Sequence, residues 1–296
     1  MSLAHLFEML LLAALWGASF LFMRMGAGAF GPVAMGGVRV LGAAAFLLPL
    51  LLWRHEGGAL LKHWRPILLV GITNSALPFL CYGVAALAIT GGLSSVFNAT
   101  TPLWGALIAW WWLADKPTPH KLAGLAIGFA GVLWLAWDRA SFKTDTGGIS
   151  PGLAVLACLS ATAMYGYSGC FTRRYLVGVP AMALACGSQL SASLLLVPLA
   201  IWQWPATPPG ASAWAAVMAL AVLCTGVAYV LYFRLIARIG APNAMSVTFL
   251  IPAFAVLWGW VFLNESVNAT MVGACGVILV GTGLVTGLIK PRRKLS

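Results

Sequence analysis

Long apolar runs separated by short polar connections cover this sequence. Ten runs of about 20 residues lie at 6–24, 32–52, 66–88, 93–113, 120–137, 151–171, 180–202, 213–236, 244–263 and 270–289. An α-helix of that length crosses a hydrocarbon core about 30 Å thick. The connections carry helix-breaking residues, as in DKPTP at 115–119 and PATPPG at 205–210. The pattern predicts an all-α polytopic membrane protein with ten transmembrane helices.

The scarcer residues recur halfway along the chain. At an offset of 149 or 150 residues the matches include Trp16 with Tyr165, Gly17 with Gly166, Ser19 with Ser168, Tyr82 with Tyr232, Pro102 with Pro252 and Asp115 with Glu265. The chain therefore divides into a first five-helix repeat at 1–147 and a second at 148–296. Because five is odd, the second copy must enter the membrane from the opposite face. We predict two inverted repeats, an architecture common among transporters.

One segment carries a proline in both copies, at 94–115 and at 244–265. Pro102 and Pro252 each lie eight residues from the start of their segment, roughly 12 Å into the membrane at the helical rise. A proline in a helix removes a backbone hydrogen bond and bends the helix. We predict that Pro102 and Pro252 are hinges in two bent helices that flank a substrate path.

The composition limits the class of protein to which this chain can belong. The chain is 61% hydrophobic and 8% charged, whereas a soluble domain carries about a quarter charged residues. Despite a net charge of +11, the basic residues form short clusters between apolar runs, which does not indicate a nucleic-acid partner. With the first residue in the cytoplasm, 13 of the 17 Lys and Arg fall on the cytoplasmic side. We expect both termini there, and a first run retained as a helix rather than removed as a signal peptide.

No motif indicates catalysis, a metal or a cofactor. The four histidines lie outside the apolar runs or at their edges, and the six cysteines lack CxxC spacing. The stretch GYSG at 166–169 matches the GxSG of intramembrane serine proteases, whose serine needs a histidine base. Because no span contains a histidine, we do not predict a protease.

Polar and aromatic side chains at helical spacing identify candidate substrate contacts. The predicted cavity residues are Trp16, Ser19, Arg39, Tyr82, Asn98, Thr101, Tyr165, Ser168, Tyr229 and Tyr232. Each of these residues could instead serve only the fold. Ser and Thr in membrane helices often form hydrogen bonds with their own backbone, and aromatic residues often lie at the membrane interface. Arg39, about two turns into the second helix, is costly there. It either attracts a carboxylate or extends to the outer surface.

The spacing of two glycine pairs predicts close helix packing. Gly124 and Gly128 lie in the fifth run, and Gly283 and Gly287 lie in the tenth. Small residues four apart allow helices to approach closely in membranes.

Ten runs in a five-plus-five arrangement resemble the drug/metabolite transporter superfamily and, within it, the EamA-like family. The local features are LWGASFLFMR at 15–24, GPVAMGGVRV at 31–40, the two prolines, and the acidic Asp115 and Glu265 after the fourth and ninth runs. The resemblance implies an exporter or exchanger of small metabolites, including amino acids, with a central cavity between the halves. The family often has Glu-Arg or Glu-Lys after the fourth helix, where this chain has Asp115-Lys116.

We therefore predict a bacterial inner-membrane transporter, not an enzyme, that exports or exchanges neutral or aromatic amino acids by alternating access. No acidic residue lies within the middle of a run, which favours facilitated diffusion or exchange over a proton pump. The alternatives are a transporter of another solute, such as a nucleoside, sugar or drug, and a membrane-embedded enzyme acting on lipid-linked substrates. We expect a small-molecule substrate and the lipid bilayer as partners, and no cofactor.

Overall fold

The computed structural model describes residues 3–88, 97–137, 150–263, 269–286 and 289. Within these ranges the chain forms helices and no strand. Both ends of the chain, the repeat boundary at 147–148, Glu265 and Gly287 lie outside the described residues.

The helices follow the apolar runs closely. They are α1 (Leu3–Trp53), α2 (Gly57–Lys62), α3 (Trp64–Gly71), α4 (Leu77–Ala88), α5 (Thr101–Leu113), α6 (Pro119–Trp137), α7 (Pro151–Tyr175), α8 (Ala181–Trp202), α9 (Ala211–Ala221), α10 (Ala228–Ile239), α11 (Ala241–Met245), α12 (Val247–Leu263) and α13 (Ala269–Thr286). A π-helical turn at Ile72–Ala76 joins α3 to α4, and another at Val222–Val227 joins α9 to α10.

Seven stretches of the described chain are long and apolar enough to cross a membrane. They are Leu3–Met23, Gly28–Trp53, Trp64–Ala85, Gly152–Tyr175, Ala181–Trp202, Ala211–Ile239 and Ala241–Phe262. They correspond to the first, second, third, sixth, seventh, eighth and ninth predicted runs, and a shorter apolar helix, Val272–Val285, lies in the tenth. The protein is therefore a multi-pass membrane protein, and the full set of ten spans stays a prediction.

Helix α1 contains two of these stretches, joined at a glycine. Gly31 has φ 71° and ψ 165°, outside the helical region. Glycine adopts positive φ at little cost because it has no Cβ, and Pro32 cannot supply an N–H to continue the hydrogen-bond ladder. Phe22 and Met35, one on each side of Gly31, belong to the same apolar cluster. The sequence GP thus lets one long helix supply two spans.

The two π-helical turns occupy equivalent places in the two copies. They begin at Ile72 and at Val222, 150 residues apart, which is one of the offsets that relate the copies in sequence. A π-helical turn inside an α-helix is rare and is found most often at functional sites. The third and eighth runs therefore share a local distortion as well as a sequence pattern.

Close contacts between helices also recur with the copies exchanged. A Cβ added to Gly17 would lie 2.6 Å from the Cβ of Phe254, and one added to Gly166 would lie 2.8 Å from the Cβ of Trp104. Gly166 is the repeat partner of Gly17, and Phe254 is the repeat partner of Trp104. Exchanging each residue of one contact for its repeat partner therefore gives the other contact.

A second exchanged pair involves the arm 28–53 of α1. A Cβ on Gly42 would lie 2.9 Å from the Cβ of Ala221, and a Cβ on Gly71 would overlap Ser191. Gly42 is the repeat partner of Ser191, and Gly71 is the repeat partner of Ala221. Reciprocal contacts of this kind are what a twofold relation produces.

Helices α6 and α13 pack along each other through glycines. A Cβ on Gly281 would overlap the backbone of Gly128 and lie 2.8 Å from the carbonyl oxygen of Gly124. Gly124 and Gly128 thus pack closely against a neighbouring helix. Their partner on α13 is Gly281 rather than Gly283, beside which Ile289 lies.

We expect Gly281→Ala to destabilise the protein by about 1–3 kcal/mol, because the added methyl group has no space. Gly276 on the same helix has nothing within 4 Å of its Cβ position. Gly276→Ala is therefore the matched control, and it should be neutral or stabilise by up to about 1 kcal/mol because alanine favours helix. Thermal melts in detergent provide the measurement, and equal midpoints for the two variants would contradict the packing described.

Candidate functional site

Charged side chains gather at one end of the bundle. Asp115 accepts a hydrogen bond from Nη1 of Arg173 at 2.7 Å. Glu8 accepts one from Nη1 of Arg238 at 3.0 Å and another from Nη2 of Arg234. The two acids belong to the first copy and the three arginines to the second. At this end, ion pairs therefore tie the copies together.

Aromatic side chains cluster in another part of the bundle. The ring of Phe30 lies 4.9 Å from that of Trp214 and 6.0 Å from that of Trp204, both at near-perpendicular angles. Phe30 lies beside the bend of α1, Trp204 lies in the connection between α8 and α9, and Trp214 lies in the first turn of α9. This cluster joins the copies through apolar contacts rather than through charges.

Three of the predicted cavity residues meet where α1 packs on α10. The Trp16 ring lies 6.3 Å from that of Tyr229 and 5.2 Å from that of Tyr232. The two tyrosines are buried and Trp16 is partly buried. The structure thus brings together Trp16 of the first copy and both tyrosines of the second.

A second group of candidates lies between α4 and α7. The rings of Tyr82 and Tyr165 stack at 6.4 Å with an interplanar angle of 22°. The Tyr82 hydroxyl donates to Oδ1 of Asn98 at 3.3 Å. These three residues again combine the two copies. Thr101 does not join them through its side chain, because its hydroxyl donates to the backbone carbonyl of Asn98 at 2.7 Å.

Arg39 points into the bundle. Its Nε donates to Oγ1 of Thr225 at 2.7 Å, and its guanidinium lies 4.2 Å from the centre of the Phe79 ring. It also lies within electrostatic range of Tyr165 and Tyr229. These contacts lie within the bundle, and the attraction of a carboxylate to Arg39 stays a prediction. A cation is therefore held among the candidate aromatic residues.

The two candidate serines differ in their surroundings. The Ser19 hydroxyl donates to the carbonyl of Trp16 on the preceding helical turn, so its hydrogen bond is made within α1. The Ser168 hydroxyl is buried and has no hydrogen-bond partner. Thr172, one turn further along α7, has the same property. Repeat-equivalent residues therefore do not carry equivalent roles here.

The two prolines also differ. Pro252 lies inside α12, where its missing N–H interrupts the helical ladder, and its role as a hinge stays a prediction. Pro102 lies in the first turn of α5, directly after a turn at 99–100. At a helix start the missing N–H costs nothing, because that group would have no partner within the helix. The interruption near Pro102 is thus the start of a helix, not a bend within a continuous one.

A hydrogen-bonded chain that includes residues missed by the sequence analysis leads away from Tyr229. The Tyr229 hydroxyl donates to the carbonyl of Asn74 at 2.9 Å. Its oxygen then accepts from the Ser75 hydroxyl at 3.2 Å. Since Ser75 has used its hydrogen, its oxygen can only accept, and it does so from Nε2 of Gln189 at 3.1 Å. Asn74, Ser75 and Gln189 are all buried.

Hydrogen bonds to two serines fix the orientation of the Gln189 side-chain amide. Its Nε2 also lies 3.3 Å from the oxygen of Ser188, whose hydrogen is donated to the carbonyl of Ala185 at 2.9 Å. Both serine oxygens therefore require a donor, which only the NH₂ side of the amide provides. The Oε1 atom of Gln189 is left buried without a hydrogen-bond partner.

These bonds make a chemically unequal pair across the two copies. Ser75 and Thr225 are repeat partners, and each lies in one of the equivalent π-helical turns. Ser75 binds the neutral Gln189, whereas Thr225 binds the cationic Arg39. The interior thus offers a positive group on one side and an unpaired carbonyl oxygen on the other.

Across the described ranges, His, Cys, Asp and Glu side chains do not form a group of three or more that could hold a metal ion. In the part of the chain that the structure describes, the hydroxyls and amides near Tyr229 and the Arg39 guanidinium suit reversible binding through hydrogen bonds and charge.

The chain resembles curated transporters over most of its length. It is 27% identical to the "Uncharacterized inner membrane transporter YedA" of Escherichia coli (strain K12), over 92% of this chain and 87% of that protein. It is 24% identical to the "Uncharacterized transporter YoaV" of Bacillus subtilis (strain 168), over 91% of each. A Chlamydia trachomatis (serovar D) protein named "S-adenosylmethionine/S-adenosylhomocysteine transporter" is 24% identical, over 95% of this chain and 88% of that protein.

A solved crystal structure has the same fold. It superposes with a TM-score of 0.81 at 20% identity and covers 96% of this chain and 98% of its own. The model of the EamA-like transporter family matches twice, at residues 4–137 and 152–287. The two matches lie on either side of the predicted repeat boundary. The chain therefore belongs to the EamA-like transporter family and is a membrane transporter.

Proposed function

We propose that the protein exports or exchanges small metabolites, chiefly neutral or aromatic amino acids, across the bacterial inner membrane. It does so by alternating access between two inverted five-helix halves. The observation that carries the proposal is the polar pair in the interior, with Arg39 on Thr225 and Gln189 on Ser75. A cation and an unpaired carbonyl oxygen, beside aromatic rings, complement the three parts of an amino acid.

Each part of such a substrate has a counterpart. Arg39 uses Nε for Thr225, which leaves its terminal N–H groups to bind a carboxylate in a fork. Oε1 of Gln189 accepts a hydrogen bond from the ammonium group. Trp16 and Tyr232 provide an aromatic wall for an apolar side chain. Together these groups select a zwitterion with an apolar side chain.

The exchanged contacts support the alternating-access mechanism. When two copies make reciprocal contacts, as at Gly17 with Phe254 and Gly166 with Trp104, a conformation in which the copies swap roles has nearly the same contacts. In an inverted pair, that swap converts an opening towards one side into an opening towards the other. Transport then requires no cofactor, only a substrate that binds between the halves.

The direct test is counterflow in proteoliposomes that contain the purified protein. Vesicles preloaded with unlabelled amino acid should accumulate the labelled amino acid transiently and saturably. The substrate panel should include nucleosides, sugars and S-adenosylmethionine, since a relative is named for that compound and it carries an amino-acid group. Absence of saturable movement for every amino acid would refute the proposed substrate class.

Gln189→Leu is expected to weaken amino-acid binding by about tenfold or more, because a hydrogen bond to a charged group contributes roughly 1.5–3 kcal/mol. Binding of a desamino analogue such as 3-phenylpropionate should change little, since it lacks the ammonium group. Gln203→Leu, at an exposed glutamine after α8, is the matched control. Competition assays measure both affinities. An equal loss for both ligands would show that Gln189 does not contact the ammonium group.

A further inference from the structure

A cavity of about 490 Å³ lies at the charged end of the bundle, between the end of α7, the start of α8 and the end of α10. Its volume is within the range of small-molecule sites, roughly 300–1,000 Å³. The apolar part of its wall includes Leu176, Leu184, Phe233 and Ile236, and the polar part is Thr172, Arg173 and Arg238. All of these residues belong to the second copy.

A buried hydroxyl in the wall lacks a hydrogen bond. Thr172 is only 3% exposed, and its Oγ1 has no partner. Leaving a buried hydroxyl unpaired is unfavourable, and a helical threonine commonly bonds a carbonyl of the preceding turn. Since Thr172 lines the cavity, a polar group of a ligand bound there would satisfy it.

Two guanidinium groups complete the polar side. Arg173 and Arg238 each donate from Nη1 to an acid of the first copy, Asp115 and Glu8 respectively. Their side chains are 40% and 45% exposed, and an arginine has five N–H donors. Asp115 is itself 35% exposed, so its ion pair with Arg173 is weak, whereas Glu8 is only 10% exposed and stays on Arg238. A ligand carboxylate can therefore displace Asp115 from Arg173 and occupy free donors of Arg238.

We propose that this cavity is a second binding site, for a small molecule with one carboxylate and an apolar group. The carboxylate replaces Asp115 on Arg173 and reaches Arg238, a ligand oxygen accepts from Thr172, and the apolar group lies against Phe233 and its neighbours. Naming the ligand as the transported amino acid rests on the proposed function. The site itself rests on the cavity, the unpaired hydroxyl and the two guanidiniums.

Binding here would also loosen the bundle. Asp115 belongs to the first copy and Arg173 to the second, so a ligand carboxylate that displaces Asp115 removes an ion pair between the copies. The substrate would thus weaken a contact between the copies at this end as it arrives from the adjoining compartment.

Equilibrium binding to the full-length protein in nanodiscs tests the site. The probes are labelled 3-phenylpropionate, which has the carboxylate alone, and phenylethylamine, which has the amine alone. An Arg39→Gln background removes the interior carboxylate contact. We expect 3-phenylpropionate to bind and phenylethylamine not to bind. Asp115→Asn should tighten 3-phenylpropionate binding about threefold or more, since its competitor for Arg173 is gone.

Thr172→Val should weaken the same binding by about fivefold, the value of a lost neutral hydrogen bond. Thr248→Val is its control, because Thr248 is also buried but bonds the carbonyl of Met245. If Asp115→Asn fails to tighten binding, or if Thr172→Val and Thr248→Val bind alike, the site is refuted. Asp115→Asn and Thr172→Val pull in opposite directions, so a general loss of folding cannot imitate the expected pattern.

The outcome separates this inference from the proposed function. If Asp115→Asn and Thr172→Val change binding as expected but the protein shows no amino-acid flux, the cavity site is supported and the proposed transport is refuted. If Trp16→Ala lowers saturable flux but Asp115→Asn and Thr172→Val do not change binding, the proposed transport is supported and the cavity site is refuted.

Discussion

Arg39→Gln is expected to weaken transport of carboxylate-bearing substrates by about tenfold to a hundredfold, because a charge-assisted hydrogen bond contributes roughly 1.5–3 kcal/mol. Arg39 is held inside the bundle by Thr225 and lies over Phe79, so its terminal N–H groups have few competitors. The affinity of Arg39→Lys for these substrates should fall between that of the unchanged protein and that of Arg39→Gln. Lysine keeps the positive charge but lacks the planar, forked arrangement of N–H donors. Concentration dependence of counterflow gives the affinities.

Arg65→Gln is the matched control for Arg39→Gln. Arg65 is exposed near the start of α3 and lies over Trp64 at 5.4 Å. It should transport like the unchanged protein. A substrate analogue without a carboxylate should bind the Arg39→Gln variant and the unchanged protein equally. If Arg39→Gln binds amino acids with normal affinity, Arg39 does not contact the substrate carboxylate.

Trp16→Ala should lower saturable flux by about tenfold or more, because aromatic residues at the centre of a binding site commonly contribute about 2 kcal/mol or more each. The indole contacts Tyr229 and Tyr232 of the opposite copy. Its removal takes away both the wall for the substrate side chain and a contact between the halves. Initial rates in proteoliposomes, normalised to the inserted protein, measure the effect.

Trp111→Ala makes the same truncation on the outside of the bundle. Trp111 is 85% exposed and lies on α5, so its loss should leave flux unchanged. If Trp16→Ala and Trp111→Ala transport equally well, Trp16 does not line the path.

The repeat in the sequence anticipated much of what the structure contains. The match of Gly17 with Gly166 needed only an offset of 149, and both glycines prove to be sites of close helix approach. Trp16, Tyr229 and Tyr232, chosen as aromatic residues within apolar runs, lie in contact. Both features can be recognised in the local sequence. Close helix packing requires a small residue, and a candidate contact is a polar or aromatic residue at helical spacing within an apolar run.

Hydrogen-bond partners left no such signature. Ser19 looked equivalent to Ser168, yet one hydroxyl bonds its own helix and the other is unpaired. Gln189 was missed, although it is one of only two glutamines and lies within an apolar run, a signal that could have identified it. The π-helical turns depend on tertiary packing, so apolar periodicity does not predict them.

We expect the second half of the protein to be the first half turned over in the membrane. Lys62 and Ser212 are repeat partners at an offset of 150, and both are exposed. Single Lys62→Cys and Ser212→Cys variants, made after replacing the six native cysteines, can be labelled with a membrane-impermeant maleimide. Inverted halves predict that Ser212→Cys reacts in intact cells and Lys62→Cys only after lysis. Reaction of both from the same side would contradict the inversion.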